Sequence, residues 1–242
     1  MKRHLPNAVT CLNLLCGCLA LKYVFAGALE IGAWFVAAAA VADFADGLLA
    51  RVLRVSSAIG KDLDSLADMV SFGVVPGAIL VELAGLSFGH RFGGYAGPEL
   101  AYWYWPIFLH VGFIVTIFSA LRLAKFNNDT RQTTSFIGLP TPACTLVVAS
   151  LPLILAHDRF GVSEFILNPL VLLGLTVLLS GLLVAELPLF ALKFKNLRWA
   201  DNRRRFLFVL LAAGLLLALQ ATAVPLIVLA YVLFSLPKTA AR

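Results

Sequence analysis

A polytopic, all-α bundle of transmembrane helices is the fold class this sequence predicts, and three observations carry it. Of 242 residues, 61% are hydrophobic and only 13% are charged, far from the mix of a soluble domain. Apolar runs approaching the roughly 20 residues that a spanning helix needs recur along the whole chain. The lysines and arginines sort by loop: if every run crosses, all but Lys22, Arg91 and Arg159 fall on the side of the N-terminus.

The expected spans are 9–27, 31–52, 64–87, 101–122, 139–157, 165–186, 203–220 and 223–236, about eight in all. The first has a basic start, but Asn7, Asn13 and Lys22 interrupt it and no small-residue cleavage site follows, so it reads as a retained helix. Spans two and three carry acids. The fourth opens on Tyr102, Trp103, Tyr104 and Trp105, an interfacial aromatic belt. The fifth starts rigidly at Gly138-Leu139-Pro140-Thr141-Pro142, and the sixth is a plain apolar run. The last two are short and read either as one re-entrant hairpin or as two spans, with Gln220-Ala221-Thr222 and Pro225 fitting a tight turn between them.

An even number of spans puts both termini on the cytoplasmic side. The whole of 1–242 reads as a single membrane-embedded domain, with a six-helix core over 1–187 and a basic loop plus C-terminal helix pair over 188–242. That pair carries almost no polar residues, which suits packing or subunit contact. The net charge of +6 follows from topology, with Arg203, Arg204 and Arg205 drawn to anionic membrane lipids; no nucleic acid is called for. Cys11, Cys16, Cys18 and Cys144 form no CxxC pair and read as buried, inert thiols. The four histidines are scattered and lack partners at metal-ligand spacing.

The acids are the exception to this apolar plan. An ionised aspartate at a helix centre costs roughly 2.5–3.5 kcal/mol on insertion scales. Yet spans two and three hold Asp43, Asp46, Asp64 and Asp68, joined by a short loop that lets all four reach the same depth. At about 100° per residue, Asp43, Asp46, Gly47, Ala50 and Arg51 share one arc of roughly 140°, while Asp64 and Asp68 stand at i and i+4. Four facing carboxylates repel unless cations lie between them, and oxygen donors at this density suit two divalent ions such as Mg²⁺ or Mn²⁺. Gly47 and Ala50 leave room for a bulky phosphate-bearing ligand, and Arg51 offers a cation to it. Asp62 reads as a helix cap. An ion or proton pathway is the rival from another class. It needs polar groups reaching both faces, whereas the outer halves of spans two and three are nearly featureless apart from Glu82.

Read together, these residues give Asp43-x2-Asp46-Gly47-x2-Ala50-Arg51-x8-Gly60-x3-Asp64-x3-Asp68. This resembles the signature of the CDP-alcohol phosphotransferase family at all eight fixed positions. The resemblance implies a homodimeric membrane enzyme acting on a CDP-linked diphosphate such as that of CDP-diacylglycerol. It implies two divalent ions on Asp43, Asp46 and Asp64, with Asp68 sharing, and a nucleotide pocket lined by Gly47, Ala50, Arg51 and Gly60. It gives Asp68 the part of general base toward the acceptor hydroxyl.

Further stretches resemble the serine-accepting branch of that family. They are Asp64–Gly73 with Pro76, Arg122–Asn127, Phe136–Ala143, and Leu5-Pro6-Asn7 through Leu12-Asn13. L-serine needs its carboxylate and ammonium paired, so Arg122 and Lys125 are candidates for the carboxylate and Asn127 and Asn13 for amide contacts. Ser71 and Phe72 share the helical arc of Asp64 and Asp68 and are expected beside the acceptor. Glycerol 3-phosphate and inositol phosphate stay open as acceptors. Their phosphate calls for more than one arginine near the aspartates, where only Arg51 and Arg122 are evident.

Overall fold

The computed structural model describes residues 4–55, 57–92, 107–128, 135–190 and 199–235. The expected aromatic belt at 102–105 and the basic residues Lys2, Arg3, Arg131, Lys193, Lys195, Arg198, Lys238 and Arg242 lie outside them. Within the described residues the chain is an all-α, polytopic membrane protein.

Helix α1 (His4–Phe25) and helix α2 (Leu29–Leu53) form an antiparallel hairpin whose facing sides are built from small residues. Thr10, Asn13, Gly17, Ala20 and Val24 are buried at three- and four-residue spacing on α1, and Gly32, Ala33, Val36, Ala39 and Ala42 are buried on α2. Ala20 and Val24 meet Gly32 of α2, while Asn13 and Gly17 meet the central run at Asp68 and Ser71. Without bulk at the seam the two backbones approach closely, which is how helices gain packing energy where lipid removes the hydrophobic drive. Cys16 and Cys144 are buried as expected, whereas Cys11 and Cys18 lie on exposed faces of α1; all four thiols are free.

The centre of the bundle is one long helical run. It comprises α3 (Ala58–Met69), a π-turn (Val70–Val74) and α4 (Val75–Phe92). Val75, Ala78, Ile79 and Leu83 are fully buried, so this run is wrapped by the others. A 3-10 turn (Ile107–Phe113) leads into α5 (Ile114–Asn128). Then come strand β1 (Ser135–Ile137), α6 (Thr141–His157), the short α7 (Ser163–Ile166) and α8 (Pro169–Val184). Strand β2 (Pro188–Phe190) returns antiparallel to β1, pairing Ser135 with Phe190 and Ile137 with Pro188.

Among the described residues, five stretches are long and apolar enough to cross: His4–Phe25, Leu29–Leu53, Ala58–Arg91, Leu109–Asn128 and Arg205–Ser235. Two more of the eight expected spans are shorter apolar helices. Helices α6 and α8 have 17 and 16 residues. At 1.5 Å per residue they reach about 25 Å, short of a hydrocarbon core of about 30 Å. The last stretch doubles back. It consists of α9 (Trp199–Leu219), a 3-10 turn at Gln220–Thr222 and α10 (Ala223–Ser235). Gln220 takes a φ of 51°, and the Phe208 ring lies 5.7 Å from that of Tyr231. A straight helix would separate those two residues by about 34 Å. The returning limb, α10, is only about 20 Å long on the same rise.

Gly138 joins β1 to α6 at a φ of 77°, with its N–H donating to the Leu187 carbonyl at 3.0 Å. A Cβ there would lie 2.6 Å from the Leu183 carbonyl oxygen. Gly138→Ala is therefore expected to cost more than about 1 kcal/mol, through left-handed strain plus the clash. The check is thermal unfolding in detergent, where the variant should melt earlier than wild type.

Candidate active site

The turn between α2 and α3 is what assembles the acids. Arg54 adopts a left-handed conformation (φ 51°, ψ 42°) and closes α2, its N–H reaching the Ala50 and Arg51 carbonyls. Ser57 opens α3, its Oγ accepting the Gly60 N–H at 3.0 Å. Ser57, rather than Asp62, is thus the helix cap. The helix starts earlier than expected, leaving Asp62 exposed within it.

Across this turn Asp43 meets Asp64 and Asp68. One carboxylate oxygen from each lies within 4.8 Å of the other two. Such a group of hard oxygen donors can hold one divalent cation, and the mutual repulsion of three carboxylates in an apolar bundle favours one there. Asp46 is set apart. It is buried, and its Oδ2 accepts a 2.6 Å hydrogen bond from the Thr10 hydroxyl, which also lies 3.1 Å from the Pro6 carbonyl. Asp46 is still near enough to Asp43 and Asp64 for their charges to act on one another. Asp68 is steadied from the same helix as Asp46, because Asn13 Nδ2 donates to Asp68 Oδ1 at 3.3 Å.

A groove of about 250 Å³ opens beside Asp46 and Asp64 and runs between α1, α2 and α3. Gly47, Ala50 and Gly60 line it, with Pro6, Asn7, Thr10, Ser57 and Lys61. A Cβ on Gly60 would sit 2.9 Å from Ser57 Oγ and 3.0 Å from Asn7 Oδ1, so only glycine fits there without movement. Arg51 does not line the groove. Its Nε turns back to the Gly47 carbonyl at 2.8 Å, one turn earlier on the same helix.

The acceptor candidates separate into three groups. Arg122, on α5, is 8% exposed, lies close enough to Asp68 for their charges to interact, and stacks its guanidinium 4.8 Å from the Phe126 ring. Its Nε is buried without a hydrogen-bond partner, as is Asn13 Oδ1. Lys125 and Asn127 are exposed, and Asn127 Nδ2 donates to Ser65 Oγ at 2.9 Å, away from the carboxylates. Ser71 and Phe72 are fully buried in helix packing instead of facing the groove. The Ser71 hydroxyl donates to the Asn13 carbonyl, while Phe72 packs with Cys16 and Ala39. Ser71 thus meets the same α1 residue, Asn13, that donates to Asp68, just where the helix widens into the π-turn.

Three residues at the site escaped the sequence reading in these roles. Asn7 and Thr10 precede Asn13 at three-residue spacing on an otherwise apolar helix, a polar stripe that was legible but not used. Lys61 was counted only as a flanking charge.

The profile of a family described as CDP-alcohol phosphatidyltransferase matches residues 3–186. A CDP-diacylglycerol–serine O-phosphatidyltransferase from Helicobacter pylori strain J99 is 31% identical over 214 residues, covering 87% of this chain and 80% of that protein. One of the same name from Bacillus subtilis strain 168 is 29% identical over 170 residues, covering 68% of this chain and 87% of that protein. An archaetidylserine synthase from Methanothermobacter thermautotrophicus is 31% identical over 148 residues, covering 60% and 56% respectively.

If the three-carboxylate group binds a divalent ion, excess Mg²⁺ or Mn²⁺ stabilises the purified protein by mass action, about 2.7 kcal/mol at a hundredfold excess over Kd. Thermal unfolding should show a rise with metal that a chelator reverses. Asp43→Asn and Asp64→Asn should lose most of that rise, and Asp62→Asn should keep it.

Proposed function

This chain belongs to the CDP-alcohol phosphatidyltransferase family, and on that premise we propose that it transfers a phosphatidyl group from CDP-diacylglycerol to L-serine, giving phosphatidylserine and CMP. The observation that carries the choice of acceptor is the buried Arg122 guanidinium beside Asp68, one cation next to the candidate base. The names of the relatives from Helicobacter pylori and Bacillus subtilis point the same way.

In this mechanism the nucleotide lies in the groove of Gly47, Ala50 and Gly60, where missing side chains let a ligand approach the backbone. Lys61 faces the diphosphate from the groove wall, and Arg51 serves at the rim. Asp43, Asp46, Asp64 and Asp68 would hold two divalent ions, which when bound would supply charge neutralisation on the diphosphate and on the departing phosphate. The serine carboxylate pairs with Arg122, and the unpartnered Asn13 Oδ1 accepts from the serine ammonium. Asp68 takes the proton from the serine hydroxyl, whose oxygen attacks the β-phosphorus. The bond from that phosphorus to the bridging oxygen breaks, and its electron pair leaves with CMP. Asn13 keeps Asp68 aimed through its amide. Lys125 and Asn127 border the mouth through which serine arrives, and Ser71 and Phe72 back the site from behind.

With eight spans, the excess of lysine and arginine on the side of the N-terminus supports a site that faces the cytoplasm, with both chain termini on that side. The region to residue 187 forms the catalytic core, and the C-terminal hairpin contributes to a homodimer contact.

CMP release from CDP-diacylglycerol by the purified protein with Mg²⁺ or Mn²⁺ tests the reaction. Serine should accelerate it; acceleration by glycerol 3-phosphate or inositol phosphate but not by serine would overturn the acceptor. Asp68→Asn should retain CDP-lipid binding while turnover falls by about 10²–10⁴, the range for losing a general base. Arg122→Gln should raise KM for serine and leave that for CDP-diacylglycerol nearly unchanged; equal rises in both would remove Arg122 from the serine carboxylate.

A further inference from the structure

A second cavity lies at the other end of the bundle from the carboxylates. It is a groove of about 490 Å³ between α4, the 3-10 turn that precedes α5, and the start of α8. Leu80, Ala84 and Phe88 supply one wall at four-residue spacing along α4, and Leu172 and Leu173 supply the opposite wall. Arg91 closes one end of the α4 stripe, where Asn168 caps α8.

We propose that this groove holds an acyl chain of an anionic phospholipid from the surrounding bilayer, with the lipid phosphate at Arg91. Length, charge and dryness support the assignment. From Leu80 to Arg91 is eleven residues, about 16 Å along the helix, so the groove is elongated like a chain. Arg91 stands 23 residues beyond Asp68 on one helical run, about 34 Å, enough to cross a hydrocarbon core of about 30 Å and place it at the opposite interface. Its guanidinium has no carboxylate partner among the described residues; the neighbouring His90 instead pairs with Glu164 at 3.5 Å. An exposed cation at the interface, at the end of an apolar trough, complements a phosphate attached to a hydrocarbon chain. The walls between its polar ends are apolar side chains, Leu80, Ala84, Phe88, Leu172 and Leu173, which suit a hydrocarbon chain better than water.

Phosphatidylglycerol bearing a diazirine in its acyl chain tests the site in detergent-purified full-length protein, with crosslinks mapped by peptide mass spectrometry. Labelling is expected between Leu80 and Phe88 and between Leu170 and Thr176, with unlabelled phosphatidylglycerol competing better than phosphatidylcholine. Arg91→Gln should weaken phosphatidylglycerol competition about fivefold, the contribution of one arginine near an anionic headgroup. Ala84→Phe, which fills the trough, should remove the labelling. CMP release should be unchanged in Arg91→Gln, because Arg91 is remote from the carboxylates. Equal competition by the two lipids, or unchanged competition in Arg91→Gln, overturns the proposal. So does a crosslink that places a second copy of the chain over the groove with no lipid label beneath it.

Discussion

Carboxylates crowded in an apolar bundle are the constraint to which the first three helices answer. Asp43, Asp64 and Asp68 bring three oxygens within 4.8 Å of one another in surroundings that screen charge poorly. Such a group persists only if cations and directed hydrogen bonds offset the repulsion. Helix α1 supplies the hydrogen bonds from Thr10 and Asn13, which hold Asp46 and Asp68 from one side. The turn through Arg54 and Ser57 fixes the acids of α2 against those of α3.

Small residues make that arrangement possible. Thr10 can reach Asp46 at 2.6 Å because α1 and α2 meet along a seam of glycine, alanine and short polar side chains. Bulkier residues there would push α1 outward and withdraw both donors from their carboxylates. The seam and the site are therefore one design problem: packing without volume at the interface lets a neighbouring helix act as a scaffold for charge.

Much of this was legible in the sequence because it is costly. Aspartates in a membrane-spanning run advertise themselves, and the glycines beside them mark open backbone. Residues with two plausible duties were harder to read. Lys61 looks like any positive flanking residue until the groove is seen, and nothing in the sequence shows that the Arg51 Nε turns back to the Gly47 carbonyl. Arcs drawn at 100° per residue say which way a side chain points but not what fills the space, and Ser71 and Phe72 are buried against α1 and α2. Span lengths are harder to read than span composition: the apolar runs of α6 and α8 form helices of 17 and 16 residues, and the last stretch reverses at Gln220.

The π-turn at Val70–Val74 has a mechanical meaning as well. Two threonines from other helices occupy its carbonyls, Thr145 on Phe72 and Thr116 on Gly73, each at 2.9 Å. The widened turn is therefore bolted to α5 and α6. It acts as a coupling between two shafts, one bearing the acids and the other locked in the core. Because α4 is buried and the turn is held by two neighbouring helices, the rotational phase of Asp64 and Asp68 is set by the packed core. The chemistry thus inherits its alignment from residues that never touch the substrate.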